Sequence, residues 1–265
     1  MIVLHRRAPG SVQPVVHVSA DVPTDAAELL CGAILAAVRR NGRCRLALSG
    51  GSTPGPIFAW LRDHLPAAIY PQLCVTWADE RVLPCAPRSA GDWQAFDPDS
   101  NLRLAYDRWL AHVPIDTRHV LPMALSDDAR AETLRFGRAF RQQFDGAIDV
   151  ALLGVGPDGH VASLFPGHPG CDVDDLCLAV HDSPKPPAER ITLALPVLDR
   201  ARVVVVAATG ANKAAILGEA WTGASGGDRL PVARVRGGGD LHWVIDRAAA
   251  TGIVAAAMAQ TEGEP

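Results

Sequence analysis

The chain has no apolar run long enough to cross a bilayer, which removes a membrane-spanning helix. It has no surplus of positive charge: 25 Lys and Arg face 29 Asp and Glu, a formal net charge of −4. A nucleic-acid surface needs the opposite sign. Any anionic ligand must then be met by local cations rather than by the field of the whole molecule. The six cysteines (Cys31, Cys44, Cys74, Cys85, Cys171 and Cys177) contain no C-x-x-C pair. Reduced thiols in a cytoplasmic protein without a metal site are the simplest reading. No secretory leader is read, because His5, Arg6 and Arg7 interrupt the N-terminal apolar residues. No internal repeat and no long linker divides the chain, so residues 1–265 are expected to form one domain.

What is present is an ordinary globular composition, 48% hydrophobic and 20% charged over 265 residues, enough for one large core. Short apolar runs alternate with segments of helical spacing. Strands are expected at 15–18, 44–48, 73–77, 148–153, 178–180, 190–195, 203–208 and 241–245. Helices are expected from Thr24 to Asn41, with Asp25 and Glu28 as a capping box. Others are expected from Pro54 or Pro56, from Leu102 behind Asp99-Ser100-Asn101, over 127–144 with Leu134 and Phe140 inward, over 214–221 and over 247–257. Residues 116–123 read as a short extended piece. This alternation predicts a doubly wound, mostly parallel α/β sheet with helices on both faces, Rossmann-like in layout.

The chain is organised around residues 148–169, IDVALLGVGPDGHVASLFPGHP. An apolar strand ends in glycines, and Asp158 and His160 stand on the turn that follows. Ligands of open α/β sheets bind at that end of a strand. Residues 154–159 also match G-x-G-x-x-G, but Pro157 and Pro166 do not suit the helix that a dinucleotide site requires. A loop histidine that only bonds a carbonyl is the plain alternative for His160.

Three further stretches carry chemistry. Gly50, Gly51, Ser52 and Thr53 join a strand to a helix, with Thr53 as candidate N-cap. Free N–H groups, hydroxyls and a helix start make a phosphate cradle, although such residues also suit an ordinary connection. No lysine follows the glycines, so it is not a nucleotide P-loop. Asp79, Glu80 and Arg81 end an apolar strand, where charge costs desolvation energy unless it is solvated or used; a surface ion-pair cluster is the other reading. Lys213 opens a helix after Gly210, where the macrodipole favours an anion over a cation. That position suggests a bound anion, and a solvent-facing lysine is the alternative.

LSGGSTP (48–54), WADER (77–81), DSN (99–101), GVGPDGHVASLFPG (154–167), SPKPPAERIT (183–192) and TGANK (209–213) occur in that order. Together they resemble the 6-phosphogluconolactonase family, in the superfamily that also holds glucosamine-6-phosphate deaminase and ribose-5-phosphate isomerase. The resemblance implies a cytoplasmic carboxylic ester hydrolase of the pentose phosphate pathway. Its substrate would be a small sugar-phosphate lactone, 6-phospho-D-glucono-1,5-lactone, with no cofactor, and the protein a monomer or weak homo-oligomer. It implies His160 as the base that activates water, and Asp79 and Arg81 in the catalytic site. It places Lys213 on the substrate phosphate or carboxylate, and residues 50–53 in the binding loop.

The residue types agree. A lactone is an activated ester, so a water nucleophile and a base suffice, and histidine titrates near ~6.5. Asp158 either orients the imidazole or holds the loop. Arg81 suits either the phosphate or a tetrahedral oxyanion. Arg190 is a further candidate anion ligand, or a surface arginine at a strand start. The family's deaminases follow DGH with Asn-Glu-Pro; here Ser163-Leu164-Phe165-Pro166 stands instead, which favours the lactonase over a deaminase. A sugar-phosphate sensor without catalysis and a dehydrogenase are the remaining alternatives. Residues 83–96 make a longer connection between DER and DSN than the family usual, a candidate lid.

Overall fold

The computed structural model describes residues 2–4, 14–84, 91–223 and 230–262. The strands of the main sheet are β1 (Ile2–Leu4), β2 (Val15–Ser19), β3 (Cys44–Leu48), β4 (Leu73–Trp77), β6 (Val150–Gly154), β9 (Val203–Ala208) and β10 (Asp240–Asp246). Their spatial order is β1-β2-β10-β9-β6-β3-β4, parallel except for β1. The central strands β6 and β9 are near-continuous Val, Leu and Ala and are buried except at Gly154 and Val203, as a sheet covered on both faces requires. Helices surround it: α1 (Val22–Asn41), α2 (Pro54–His64), α3 (Asn101–Arg108), α4 (Ala129–Phe144), α5 (Leu195–Asp199), α6 (Ala214–Thr222), α7 (Pro231–Arg234) and α8 (Arg247–Glu262). Among the described residues, no helix is long and apolar enough to cross a membrane.

A second, antiparallel sheet of three short strands, β5 (Asp79–Arg81), β7 (Cys177–Val180) and β8 (Arg190–Leu193), stands at the carboxyl end of β4 in the order β5-β8-β7. Ala78 joins the two sheets, donating to Leu48 O at 2.7 Å and accepting from Leu193 N at 2.8 Å. The charged tail expected after β4 is therefore itself a strand. Three residues are too few for a visible alternation of apolar and polar positions.

Other local expectations shift for physical reasons. Asp21, not Asp25, caps α1 and accepts from Thr24 N; Pro23 fits the first turn because it has no N–H to place. Thr53 occupies the N-cap position of α2 but makes no capping bond through its side chain. Leu134 is 57% exposed, and α4 instead buries Phe136, Phe140 and Phe144 in a stacked row. Within 116–123 the chain makes a short turn of 3-10 helix, and Val120 then bridges to Val75 in parallel.

Chain order reverses between β3 and β6. From β3 the chain moves outward to β4, then returns to β6 on the other side. The loops after β3 and β6 diverge there, which opens a crevice at the carboxyl ends of the strands. The end of β9 adds a third wall. Behind it, α6 and α8 pack backbone to backbone: a Cβ on Gly252 would overlap the carbonyl oxygen of Ala214. Gly252→Ala is therefore expected to cost ~2–3 kcal/mol of stability by overpacking, read as a lower urea midpoint at unchanged slope; a change under about 0.5 kcal/mol would show that the two helices separate freely.

Candidate active site

A cleft of about 450 Å³ opens at that reversal point, lined by the loops after β3, β4, β6 and β9 and by the 183–187 turn. It gathers Gly50, Gly51, Ser52, Thr53, Asp79, Arg81, His160, Arg190 and Lys213 in one place. Asp158 lies directly behind His160. The residues singled out in the sequence thus meet, except Glu80, which does not line the cleft.

The β6 loop carries the imidazole. Gly156 N donates to His160 O at 2.9 Å, and Gly159 N to Gly156 O at 3.0 Å, folding DGH into a tight turn. A Cβ on Gly156 would overlap both the His160 ring and the Asp158 carboxylate. Turns, not a helix, follow the glycines, so the dinucleotide pattern lacks its required context. His160 Nδ1 and Asp158 Oδ1 are 2.5 Å apart, and the ring packs on Phe165 with centroids 4.8 Å apart. Lys185 Nζ approaches the same pair, 3.5 Å from Asp158 Oδ1 and 3.2 Å from His160 Nδ1. Nδ1 cannot both donate to the carboxylate and accept from an ammonium. The shorter contact puts the proton on Nδ1, which leaves Nε2 as the basic nitrogen. Nε2 has no hydrogen-bond partner among the described residues.

Burial lowers the His160 pKa below its ordinary value, and the Asp158 hydrogen bond and charge only partly offset this; Lys185 lowers it further. The imidazole is therefore neutral at neutral pH. Burial pulls the Asp158 pKa upward, but the His160 bond and the nearby cations outweigh it and hold the carboxyl below its usual range. Lys213 is depressed by burial first and then by Lys185, with Asp158 acting in the opposite sense. Its amine makes no hydrogen bond or ion pair to a described residue.

The β5 wall is tightly bonded. Asp79 is buried and accepts from Ser163 Oγ at 2.7 Å and Asn101 Nδ2 at 3.2 Å, with Arg190 Nη1 3.6 Å away. Arg81 Nη1 donates to Asp99 O at 2.6 Å. Arg190 is committed to protein: its guanidinium donates to Pro187 O, Lys185 O, Pro186 O and Ser163 Oγ at 3.1–3.4 Å. It holds the turn that carries Lys185. On the β3 side, Gly50 lies against the Asn101 amide, where a Cβ would overlap it, and Gly51 has φ +102. The N–H groups of Gly50, Gly51, Ser52 and Thr53 donate to no described residue.

The chain matches the family described as glucosamine-6-phosphate isomerases/6-phosphogluconolactonase over residues 18–243. It belongs to that family. The 6-phosphogluconolactonase of Streptomyces coelicolor is 36% identical over 255 residues, covering 90% of this chain and 94% of that one. The human 6-phosphogluconolactonase is 35% identical, covering 79% and 81%. Among solved structures, the 6-phosphogluconolactonase of Trypanosoma brucei is 27% identical, with a TM-score of 0.73 over 91% of this chain and 98% of that one. A monomeric glucosamine-6-phosphate deaminase shares the fold at 19% identity and a TM-score of 0.70.

Sequence reasoning missed Lys185, Ser163 and Asn101 as parts of the site. Lys185 stands in the quoted SPKPP stretch, and a lysine between prolines is a rigidly presented cation, which was the available signal. Of the longer connection over 83–96, residues 85–90 lie outside the described residues. Beyond them, Trp93 and Phe96 are buried, and Trp93 packs on Tyr106 of α3 with centroids 6.5 Å apart, so this part is docked rather than hanging free.

Because Asp158 raises the His160 pKa, Asp158→Asn is expected to lower it further and to let the proton move between the two ring nitrogens. Nitrogen-15 NMR of labelled histidine reads both changes. An unaltered His160 titration would show that the 2.5 Å contact does not act on the ring.

Proposed function

We propose that this chain hydrolyses 6-phospho-D-glucono-1,5-lactone to 6-phospho-D-gluconate, with His160 as the general base. The observation that carries the mechanism is the Asp158–His160 pair, with its neutral imidazole lining the cleft and its Nε2 unengaged by described residues. Family membership and the relatives' names support the substrate.

The proposed reaction has two stages, addition of water and opening of the ring. His160 Nε2 takes a proton from water as the water oxygen bonds to C1 of the lactone. Asp158 stabilises the imidazolium that forms, without itself being protonated. The tetrahedral intermediate then collapses with cleavage of the bond from C1 to the ring oxygen. The imidazolium returns its proton to that oxygen, which becomes the C5 hydroxyl, and C1 leaves as a carboxylic acid that ionises at neutral pH. No covalent enzyme intermediate is needed. We assign the phosphate to the free N–H groups of residues 50–53 and the start of α2. Arg81 and Lys213 serve as the cations that meet the substrate's oxygens. Lys185 acts on the base, by disfavouring its protonation.

We assign Asp79 and Arg190 as supports, because both are engaged by protein. With Ser163, Asn101 and Arg190 engaging it, the Asp79 carboxylate is not free to act as a base. The protein is expected to accelerate the hydrolysis of fresh lactone above the spontaneous rate, measured by coupling to 6-phosphogluconate dehydrogenase. His160→Ala is expected to lose about 10²-fold or more. An active wild type with an unimpaired His160→Ala sinks the base assignment, and an inactive wild type sinks the substrate. Lys213→Ala is expected to raise KM roughly tenfold, the loss of about one charge-assisted contact; an unchanged KM removes Lys213 from the binding set.

A further inference from the structure

Glu80 lies beneath this site and is used by none of the steps above. It alternates with Asp79 and Arg81 along β5, so its side chain points away from the cleft. It is only 2% exposed. Its carboxylate accepts three backbone hydrogen bonds: Oε1 from Arg81 N at 2.7 Å and Asn101 N at 2.8 Å, and Oε2 from Leu102 N at 2.8 Å. Asn101 and Leu102 open α3, and the third amide of that turn, Arg103 N, is taken by Ser100 Oγ at 2.9 Å. A carboxylate from another element thus caps a helix start, where the macrodipole favours negative charge.

The cap fixes the register between two segments that both line the cleft. Asn101 Nδ2 donates to Asp79 O at 2.8 Å, and Arg81 Nη1 to Asp99 O at 2.6 Å. Three consecutive residues of β5 therefore each bond the 99–102 stretch. All of Glu80's bonds require it to be an acceptor at both oxygens. A proton on either oxygen removes the negative charge that strengthens all three bonds and adds a donor to a group held only by donors.

We propose that Glu80 is a positioning residue that holds Arg81 and Asn101 in their working places only while ionised, so that its protonation turns the site down. The inference rests on the site assigned above. Burial pushes the Glu80 pKa up to about 7, against the pull of the three amides, and Asp79 on the same strand adds to the rise. Arg190 on β8 is the cation whose charge opposes it; from α3 the recorded contacts are backbone amides. The sign follows. A carboxyl whose pKa is higher folded than unfolded is protonated more readily in the folded chain. Between roughly pH 7 and pH 4.5, taking up that proton favours folding. Glu80 protonation thus lowers activity without lowering stability, which separates it from acid unfolding.

Glu80→Gln copies the protonated group in charge and shape. It is expected to reduce kcat/KM at pH 8 by about tenfold, to leave Tm at pH 8 equal or higher, and to strip the upper of two steps from the acid limb of the kcat/KM profile. The remaining step belongs to His160. Carboxyl carbon-13 NMR of glutamate-labelled wild type needs no substrate, and should show one buried side chain titrating near 7. Activity of Glu80→Gln within twofold of wild type at pH 8, with the same acid limb, overturns the proposal. So does a wild type whose glutamates all titrate below 5, which decides the matter even if the variant does not fold. An inactive wild type with a glutamate titrating near 7 counts against the lactonase reading, not against the buried acceptor. In that case inorganic phosphate binding, expected to weaken several-fold in Glu80→Gln, takes the place of the rate.

Discussion

The site depends on one buried polar seam, where the three residues of β5 bond to the chain turn and helix start about twenty residues later. Carboxylates, a guanidinium, a side-chain amide and backbone N–H groups meet there almost out of contact with water. Each group would be costly if left alone. The bonds they make specify one register, because a shift of one residue would break all of them together; Arg81 Nε and Asn101 Oδ1 have no hydrogen-bond partner among the described residues. The second sheet exists to hold one side of this seam. Arg190 on β8 braces Asp79 and ties down the turn bearing Lys185, so the DER strand, the α3 start and the Lys185 turn behave as one unit.

Against that fixed wall, the working groups are those left unsatisfied. His160 Nε2, the Lys213 amine and the N–H groups of residues 50–53 have no protein partner among the described residues, whereas the Asp79 carboxylate and the Arg190 guanidinium beside them are engaged by protein. This asymmetry separates residues that hold the site from residues that meet a ligand more sharply than lining the cleft does. It is why Arg190 and Asp79, which stand in the wall, are assigned as supports, while Lys213 is assigned to substrate.

Much of this was legible in the sequence. The Val- and Leu-rich runs 44–48, 148–153 and 203–208 gave their strands, because burial on both faces leaves a continuous apolar signature. DGH and the loop over 50–53 were legible because glycine records a backbone constraint directly: Gly156 and Gly50 leave no room for a side chain. What escaped depends on long-range pairing. Glu80 reads as one charge in a run of three, and nothing local reveals that its acceptors' partners lie at Asn101 and Leu102. Asp25 looks like a cap because Glu28 follows at the right spacing, yet the chain starts its helix earlier because Pro23 tolerates it. Leu134 failed for a simpler reason: one large apolar residue on a helix is often exposed, and the aromatic row at 136, 140 and 144 was the stronger signal.

The electrostatics of the cleft bear on release as well as on binding. The molecule is net negative, and its anion site consists of a few cations crowded against Asp79 and Asp158. In the proposed reaction the ligand gains a carboxylate, so the product carries one more negative charge than the substrate. An imidazolium left beside that carboxylate would hold it. Burial and Lys185 together disfavour the charged form of His160, so the ring gives its proton to the departing oxygen and returns to neutrality. In the proposed reaction, the desolvation that keeps His160 neutral and ready to act as the base would thus also favour release of the product.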